Sequence, residues 1–221
     1  GGFFLLDNPS IIYPIDVVFP VMHGPHAEDG TIQGLLELAN IPYVGSDVVA
    51  SSTGMDKAIS KSIFKNADLP QADYAVVLAR DFDADQEKIL SDLEEQFKYP
   101  VFVKPANLGS SVGISKAYDR DGLRKAIIEA SKYDRKIVIE EFIDGHEIEC
   151  AVLGNNHPKA SAAGQIVPCN DFYDYHAKYF DGGKSRLIIP AEIPDEKSLE
   201  VRRIAIEAYK SLDCSGLARV D

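Results

Sequence analysis

No apolar run in this chain approaches the ~18 residues that a membrane-spanning helix needs, and the opening Gly1-Gly2-Phe3-Phe4-Leu5-Leu6 is too short for that or for a signal peptide. Membrane insertion is therefore not expected. Cysteine is scarce: Cys150, Cys169 and Cys214 are odd in number and widely spaced. That excludes a disulfide framework and a zinc knuckle, and fits a reducing, cytoplasmic setting. Positive charge is short as well, with 23 basic against 35 acidic residues and a net charge of −12. Such a surface repels a phosphate backbone on average, so nucleic acid is not an expected partner, although a local basic cleft for a small anion is compatible with it. Internal repeats, low-complexity tracts and an initiator Met are also missing, and residues 215–221 stop within a strand-like pattern. The expectation is of an incomplete chain, or of one represented by its ordered residues alone.

What is present is ordinary for a globular protein. The 221 residues are 45% hydrophobic and 26% charged, enough for one large domain or two smaller ones. The chain organises around residues 101 to 114. Val101-Phe102-Val103 reads as a buried strand that delivers Lys104 to its end. The turn after it is rich in Asn, Gly and Ser, small residues that leave backbone N–H groups open to an anion. Val112, Ile114 and Lys116 then resume an extended pattern. There is no Gly-Lys-Ser/Thr ending and no helix start after Gly113, so this is not a Walker loop. Taken alone, it fits an ordinary hairpin equally well.

Upstream, Ile15 to Met22 is a nearly continuous apolar run of the kind found in strands covered on both faces. A polar turn, 23–30, leads to a helix from Thr31 with Ile32, Leu35, Leu36 and Ala39 on one side, and Tyr43-Val44-Gly45 reads as a short strand. A first domain boundary falls near Ser46–Ser52. A helix from about Met55 to Asn66 aligns Lys57, Lys61 and Lys65, a pattern that by itself suits a solvated face. Then come a strand at Tyr74–Leu78, an acidic helix from about Asp85 to Phe97, and a helix after the 101–114 unit with Asp119 as N-cap. The strand 136–142 ends in Glu140-Glu141, either a ligand edge or a solvated strand end. Residues 146–153 and 159–168 form a hairpin about Gly154-Asn155-Asn156. An aromatic loop, 170–184, precedes a helix opened by Pro194-Asp195-Glu196, and Gly216 leads to a last strand ending Arg219-Val220-Asp221.

Four phrases carry a resemblance: His-Gly-Pro-x-x-Glu-Asp-Gly-Thr-Ile-Gln-Gly (23–34), Met-Asp-Lys (55–57), Val-Lys-Pro…Gly-Ser-Ser-Val-Gly (103–113) and Phe-Tyr-Asp-Tyr-x-x-Lys-Tyr (172–179). The sequence resembles the ATP-grasp superfamily and, more closely, its D-alanine–D-alanine ligase family, over residues 15 to 221. The resemblance implies an α/β fold, α+β in its central part. It divides into a partial N-terminal Rossmann-like domain (1–48), a central ATP-grasp lid (49–146) and an incomplete C-terminal catalytic part (147–221). It implies ATP and magnesium, with manganese as the alternative ion, two molecules of D-alanine as substrates, and a homodimer. Lys57 and Lys104 would hold the ATP phosphates, with Ser111 of the flap also binding the nucleotide; Glu140, Glu141 and Ile143 would line the adenine; Glu147 would take the ribose hydroxyls.

Ser110 would orient the first D-alanine, and Tyr179 would bond to it. Lys178 would neutralise the transferred phosphoryl group, His23 would face the acyl phosphate, Arg219 would stabilise the oxyanion and Asp221 would meet the metal. The plain alternative for Arg219 and Asp221 is an ion pair on one strand face. The Lys178-Tyr179 pair suits the dialanine-forming branch rather than the D-lactate-forming one, and the family phrases are departed from at His26, Ala27 and His176. A His23/His26 metal pair finds no third ligand at sensible spacing. The family's second magnesium pair and its substrate clamp lie outside this sequence, so little ligase activity is expected of these residues alone. A different ATP-grasp ligase, or a nucleotide-binding module without turnover, are the competing readings.

Overall fold

The computed structural model describes residues 2–109, 111–167 and 185–221. It opens with an exposed antiparallel hairpin of β1 (Gly2–Leu5) and β2 (Asn8–Pro14). Residues 15 to 22 do not form the doubly covered strand expected of them. Val18 alone pairs, through a parallel bridge to Tyr43, and Val17, Phe19, Val21 and Met22 stay exposed. An apolar run gains from burial only where other layers cover it, and no described element covers this one. Helix α1 (Thr31–Leu38) also turns differently from its apolar pattern: Leu36 and Gln33 are buried, whereas Leu35 and Ala39 are exposed. Gln33 can face inward because its Nε2 donates to Ala27 O at 3.0 Å.

Helices α2 (Val48–Met55) and α3 (Lys57–Asn66) meet at Asp56, whose extended backbone (φ −82°, ψ 100°) breaks what the sequence reads as one helix start. The Asp56 carboxylate caps α3 by accepting from Ala58 N and Ile59 N. The chain then builds β3 (Tyr74–Leu78), α4 (Ala79–Ala84), α5 (Gln86–Gln96), β4 (Val101–Pro105), β5 (Ser115–Ala117), α6 (Arg120–Ser131) and β6 (Lys136–Glu141). These strands form an antiparallel sheet in the order β3-β6-β4-β5.

Strand alternation gives this sheet two different faces. Val101, Val103, Ile137 and Ile139 join Leu90, Leu93, Leu123 and Ile127 of the helices in the largest core cluster. The opposite face carries Phe102 and Lys104 of β4 beside Val138 and Glu140 of β6, with Lys104 paired to Val138 and Phe102 to Glu140 in register. Ala58 of α3, Ala106, Val138 and Tyr74 pack there in a smaller cluster.

The second sheet contains β7 (Glu147–Leu153), β8 (Lys159–Ala160), β9 (Gly164–Val167), β10 (Arg186–Ile188) and β11 (Leu217–Val220), with α7 (Asp195–Ser211) against it. The strand expected over 159–168 is two pieces, both paired to β7. Cys150 and Val152 of β7, with Ala218 and Val220 of β11, face Ala205 and Tyr209 of α7. Tyr209 is fully enclosed, and its hydroxyl donates to Gly154 O at 2.6 Å. Glu147 and Glu149 therefore share the other face with Arg219, diagonally across the β7–β11 pair.

Candidate functional site

Lys57 opens α3 directly against the end of β4. Its backbone N–H donates to Ala106 O (3.0 Å), and its Nζ donates to Leu108 O (2.7 Å) at the foot of the Gly/Ser loop. Beneath lies a polar anchor. Asp56 pairs with Lys136 and accepts from Asn107 Nδ2 (3.0 Å), while Asp134 accepts from the Asn107 backbone N–H (2.7 Å). No salt bridge engages Lys57 among the described residues. Burial, together with the neighbouring Lys104 charge, pulls its ammonium down to about 8. The Lys104 ammonium thus adds to the cost of charging Lys57.

Lys104 itself pairs with Glu140, which also receives Lys61 at 3.2 Å. Burial works to raise the Glu140 pKa, but Lys104 and Lys61 hold it below the usual carboxylate range. Next to this group, Lys116 lies 3.7 Å from the centroid of the Phe142 ring, and Ile143 is exposed just beyond. Glu141 points back along the sheet, where its carboxylate accepts from Asp73 N at 2.8 Å.

A cavity of about 720 Å³ lies at the end of the second sheet, where His23, Glu28, Glu147, Glu149, Arg219 and Asp221 give it polar walls and Val201, Ile204 and Ala205 of α7 an apolar one. Its size suits a nucleotide-sized or smaller ligand. The first turn forms one wall and is locked internally: Gly24 N donates to Glu28 Oε2 (2.5 Å), and Asp29 accepts from His26 N and Thr31 N. Gly109 of the Gly/Ser loop packs against this wall, where a Cβ would stand 3.6 Å from Gly24 Cα and 3.7 Å from Glu28 Oε2. Loop, first turn and cavity are therefore contiguous. Arg219 grips Asp221 through both oxygens (2.6 and 2.9 Å), which raises the guanidinium pKa further. Glu149 Oε2 stands 3.2 Å from Arg219 Nε, yet it is buried without a hydrogen bond among the described residues.

Among the described residues no three His, Cys, Asp or Glu side chains cluster closely enough to hold a metal ion unaided. Glu149, whose Oε2 makes an ion pair with Arg219 but no hydrogen bond among the described residues, and Asp221 nevertheless supply hard oxygen donors to one cavity. That set fits a magnesium-like ion, which is ordinarily held by one or two carboxylates and completed by phosphate oxygens.

Of the residues singled out in the sequence, His23, Glu147, Arg219 and Asp221 line the cavity, and Lys57, Lys104 and Glu140 meet on the first sheet. Ser111 lies in the loop between them with φ 58°. Ser110, Lys178, Tyr179, His176 and Cys169 lie outside the described residues. The sequence reading missed Lys61, the Asp56–Lys136 pair, Glu28 and Glu149. The alternation Glu147-x-Glu149 opposite Arg219-x-Asp221 was a usable signal for Glu149, since period-two carboxylates share a strand face.

Two antiparallel sheets, the first with a lysine-bearing strand and a small-residue loop and the second with a carboxylate-lined cavity, constitute an ATP-grasp architecture. Residues 63–221 match the D-ala D-ala ligase C-terminus family and residues 3–46 match the D-ala D-ala ligase N-terminus family. The chain belongs to the D-alanine–D-alanine ligase family. It is 60% identical to the D-alanine–D-alanine ligase of a Thermoanaerobacter species over 97% of this chain and 59% of that relative, and 58% identical to that of Bacillus velezensis over 97% and 60%. Among solved structures, the D-Ala:D-Ser ligase of Enterococcus faecalis superposes with a TM-score of 0.84 at 35% identity, covering 95% of this chain and 60% of that one. The D-alanine–D-alanine ligase of Coxiella burnetii gives 0.83 at 36%, covering 97% and 56%. The chain thus spans about 60% of the length of these relatives.

Proposed function

We propose that the chain carries the nucleotide site of an ATP-dependent ligase that joins two D-alanine molecules through a D-alanyl phosphate, a step of peptidoglycan precursor synthesis. The carrying observation is Lys57: an ammonium drawn out of bulk water, without a salt bridge among the described residues, set beside Lys104 at the foot of a Gly/Ser loop. A charge without a salt bridge of its own in such a place is suited to a polyanion. The division into 1–48, 49–146 and 147–221 is supported by the two sheets, one within each of the latter spans.

In this reading Lys57 and Lys104 hold the triphosphate, with Ser111 in the loop above it. Glu140, Glu141 and Ile143 border the adenine, and Glu147 receives the ribose. The carboxylate of one D-alanine attacks the γ-phosphorus; ADP leaves, and an acyl phosphate forms. The amine of the second D-alanine then attacks the acyl carbon, and inorganic phosphate departs. Phosphoryl transfer asks mainly for positioning and positive charge. In the same reading Arg219 stabilises the tetrahedral oxyanion, and His23 lines the same cavity. Asp221 and Glu149 would hold magnesium, or manganese, whose chemistry is to neutralise phosphate charge. Ser110 and Tyr179 keep the substrate-side roles, and Lys178 the neutralisation of the transferred phosphoryl group, that the family phrases imply. Unpaired thiols at Cys150 and Cys214 suit a reducing cytoplasm.

The test is ADP release by the full-length protein with D-alanine, D-serine or D-lactate as second substrate. Selective dependence on D-alanine is expected, with Lys57→Met and Lys104→Met both abolishing it. Equal turnover with the other acceptors would point to a different ligase, and nucleotide binding without ADP release to a module that does not turn over.

A further inference from the structure

Glu140 is a carboxylate shared by two lysines that are not equivalent. Its side chain is 9% exposed, that of Lys61 13% and that of Lys104 23%. Lys61 is the more enclosed cation and has further ties: its Nζ lies 3.5 Å from Ala72 O and 5.0 Å from the centroid of the Tyr74 ring. Lys104 stands at the open side, close enough to Lys57 to depress its pKa. If Lys104 alone neutralised Glu140, its transfer to a phosphate would strand an anion in a place that tolerates none. With Lys61 fixed on the other oxygen, Lys104 can leave without that cost.

We infer that Lys61 is a positioning residue that keeps Glu140 ionised and in place while Lys104 moves from Glu140 to the nucleotide. This rests on the nucleotide reading of the site. The groups facing Glu140 are Lys61 and Lys57 from α3, Lys104 from β4 and Tyr74 from β3, so Lys61 is the cation that stays when Lys104 is engaged elsewhere. The sequence hides this role, because Lys61 looks like the middle of a solvated lysine stripe.

Calorimetric titration of the full chain with a non-hydrolysable ATP analogue and magnesium tests the inference. Lys61→Met should weaken binding roughly 10- to 100-fold, because Glu140 loses its remaining cation in the complex. Lys61→Arg should stay within about threefold of wild type, since the charge is retained. In buffers of different ionisation heat near neutral pH, Lys61→Met should take up about one proton more than wild type on binding, as Glu140 neutralises itself instead. A merely structural lysine would not produce that uptake. In a Glu140→Gln background, Lys61→Met should change affinity less than about twofold, and this double variant reads the same point if the single one fails to fold. Unchanged affinity or proton uptake in Lys61→Met, or a large further loss in the Gln background, overturns the inference. Wild-type protein that binds no analogue would instead overturn the nucleotide reading, and the inference with it.

Discussion

At the scale of single residues, Lys57 places function and stability in opposition. A desolvated ammonium beside a second ammonium is held at the expense of the fold, and the depression of its pKa from 10.5 to about 8 records that expense. Below pH 8 both folded and unfolded chains carry the proton, so the penalty is fully present. Between about 8 and 10.5 the unfolded chain binds more protons than the folded one, and stability rises with pH. Lys57→Met removes the charge and the bond to Leu108 O together. Because the side chain keeps some contact with water, we expect a net gain of about 1–2 kcal/mol at pH 7, shrinking towards zero by pH 10. Urea unfolding of both proteins at pH 7 and pH 9.5 measures it. A variant that is less stable at pH 7, or an advantage that grows with pH, would mean that Lys57 is neutralised within the fold and not reserved for an anion.

At the scale of elements, the decisive joint is the break between α2 and α3. Asp56 ends one helix and caps the next, and it is tied to β6 through Lys136 and to the loop after β4 through Asn107. One carboxylate thus registers α3 against the sheet and sets Lys57 at the foot of the loop. Burial would raise its pKa, but Lys136 and Asn107 keep it below the ordinary aspartate value. Its contribution is therefore present above that value and is lost as pH falls through the lower folded one. Asp56→Ala removes both the cap and the partner of Lys136, and should cost about 3–5 kcal/mol. Asp56→Asn keeps the cap and should cost roughly half as much at pH 7, converging on wild type as pH falls through the lowered folded value. Chemical denaturation across that range checks both.

The same joint marks where sequence legibility ends. Asp119 was readable as a cap, and its carboxylate does accept from Gly122 N at 2.7 Å, because capping is decided within four residues. The strands β4 and β6 were readable from their own apolar runs. Which side of α3 would dock was not, since helical period shows a stripe but not its partner. Lys61 therefore looked solvated until Glu140 came across from β6. The run 15–22 failed for a related reason: its composition anticipates covering layers that composition cannot supply.

At the scale of the whole molecule, His23, Lys57, Lys104 and Arg219 come from four separate parts of the chain, and the site exists only because the two sheets and the first turn are docked. The family phrases made that convergence readable; local pattern could not, because docking depends on backbones far apart in sequence. One such contact is unusually close. Gly216, at φ +71°, leads into β11, and a Cβ there would stand 2.7 Å from Gly45 N and 3.0 Å from Gly45 Cα. Ser215 Oγ donates to Gly45 O (3.2 Å) and Ser46 Oγ to Ser215 O (3.3 Å), so the N-terminal unit is fastened to the strand that carries Arg219. Gly24 has a similar φ of +78°, but nothing lies within 4 Å of its missing Cβ. Gly24→Ala thus reports backbone strain alone, about 1 kcal/mol, whereas Gly216→Ala adds a backbone clash and should cost about 3 kcal/mol in all. For a chain of this size that difference separates the two melting temperatures by roughly 4–8 °C. Thermal unfolding of the pair decides it: equal losses would mean that the Gly45–Gly216 approach is incidental, and that the first turn is held over the cavity by other contacts.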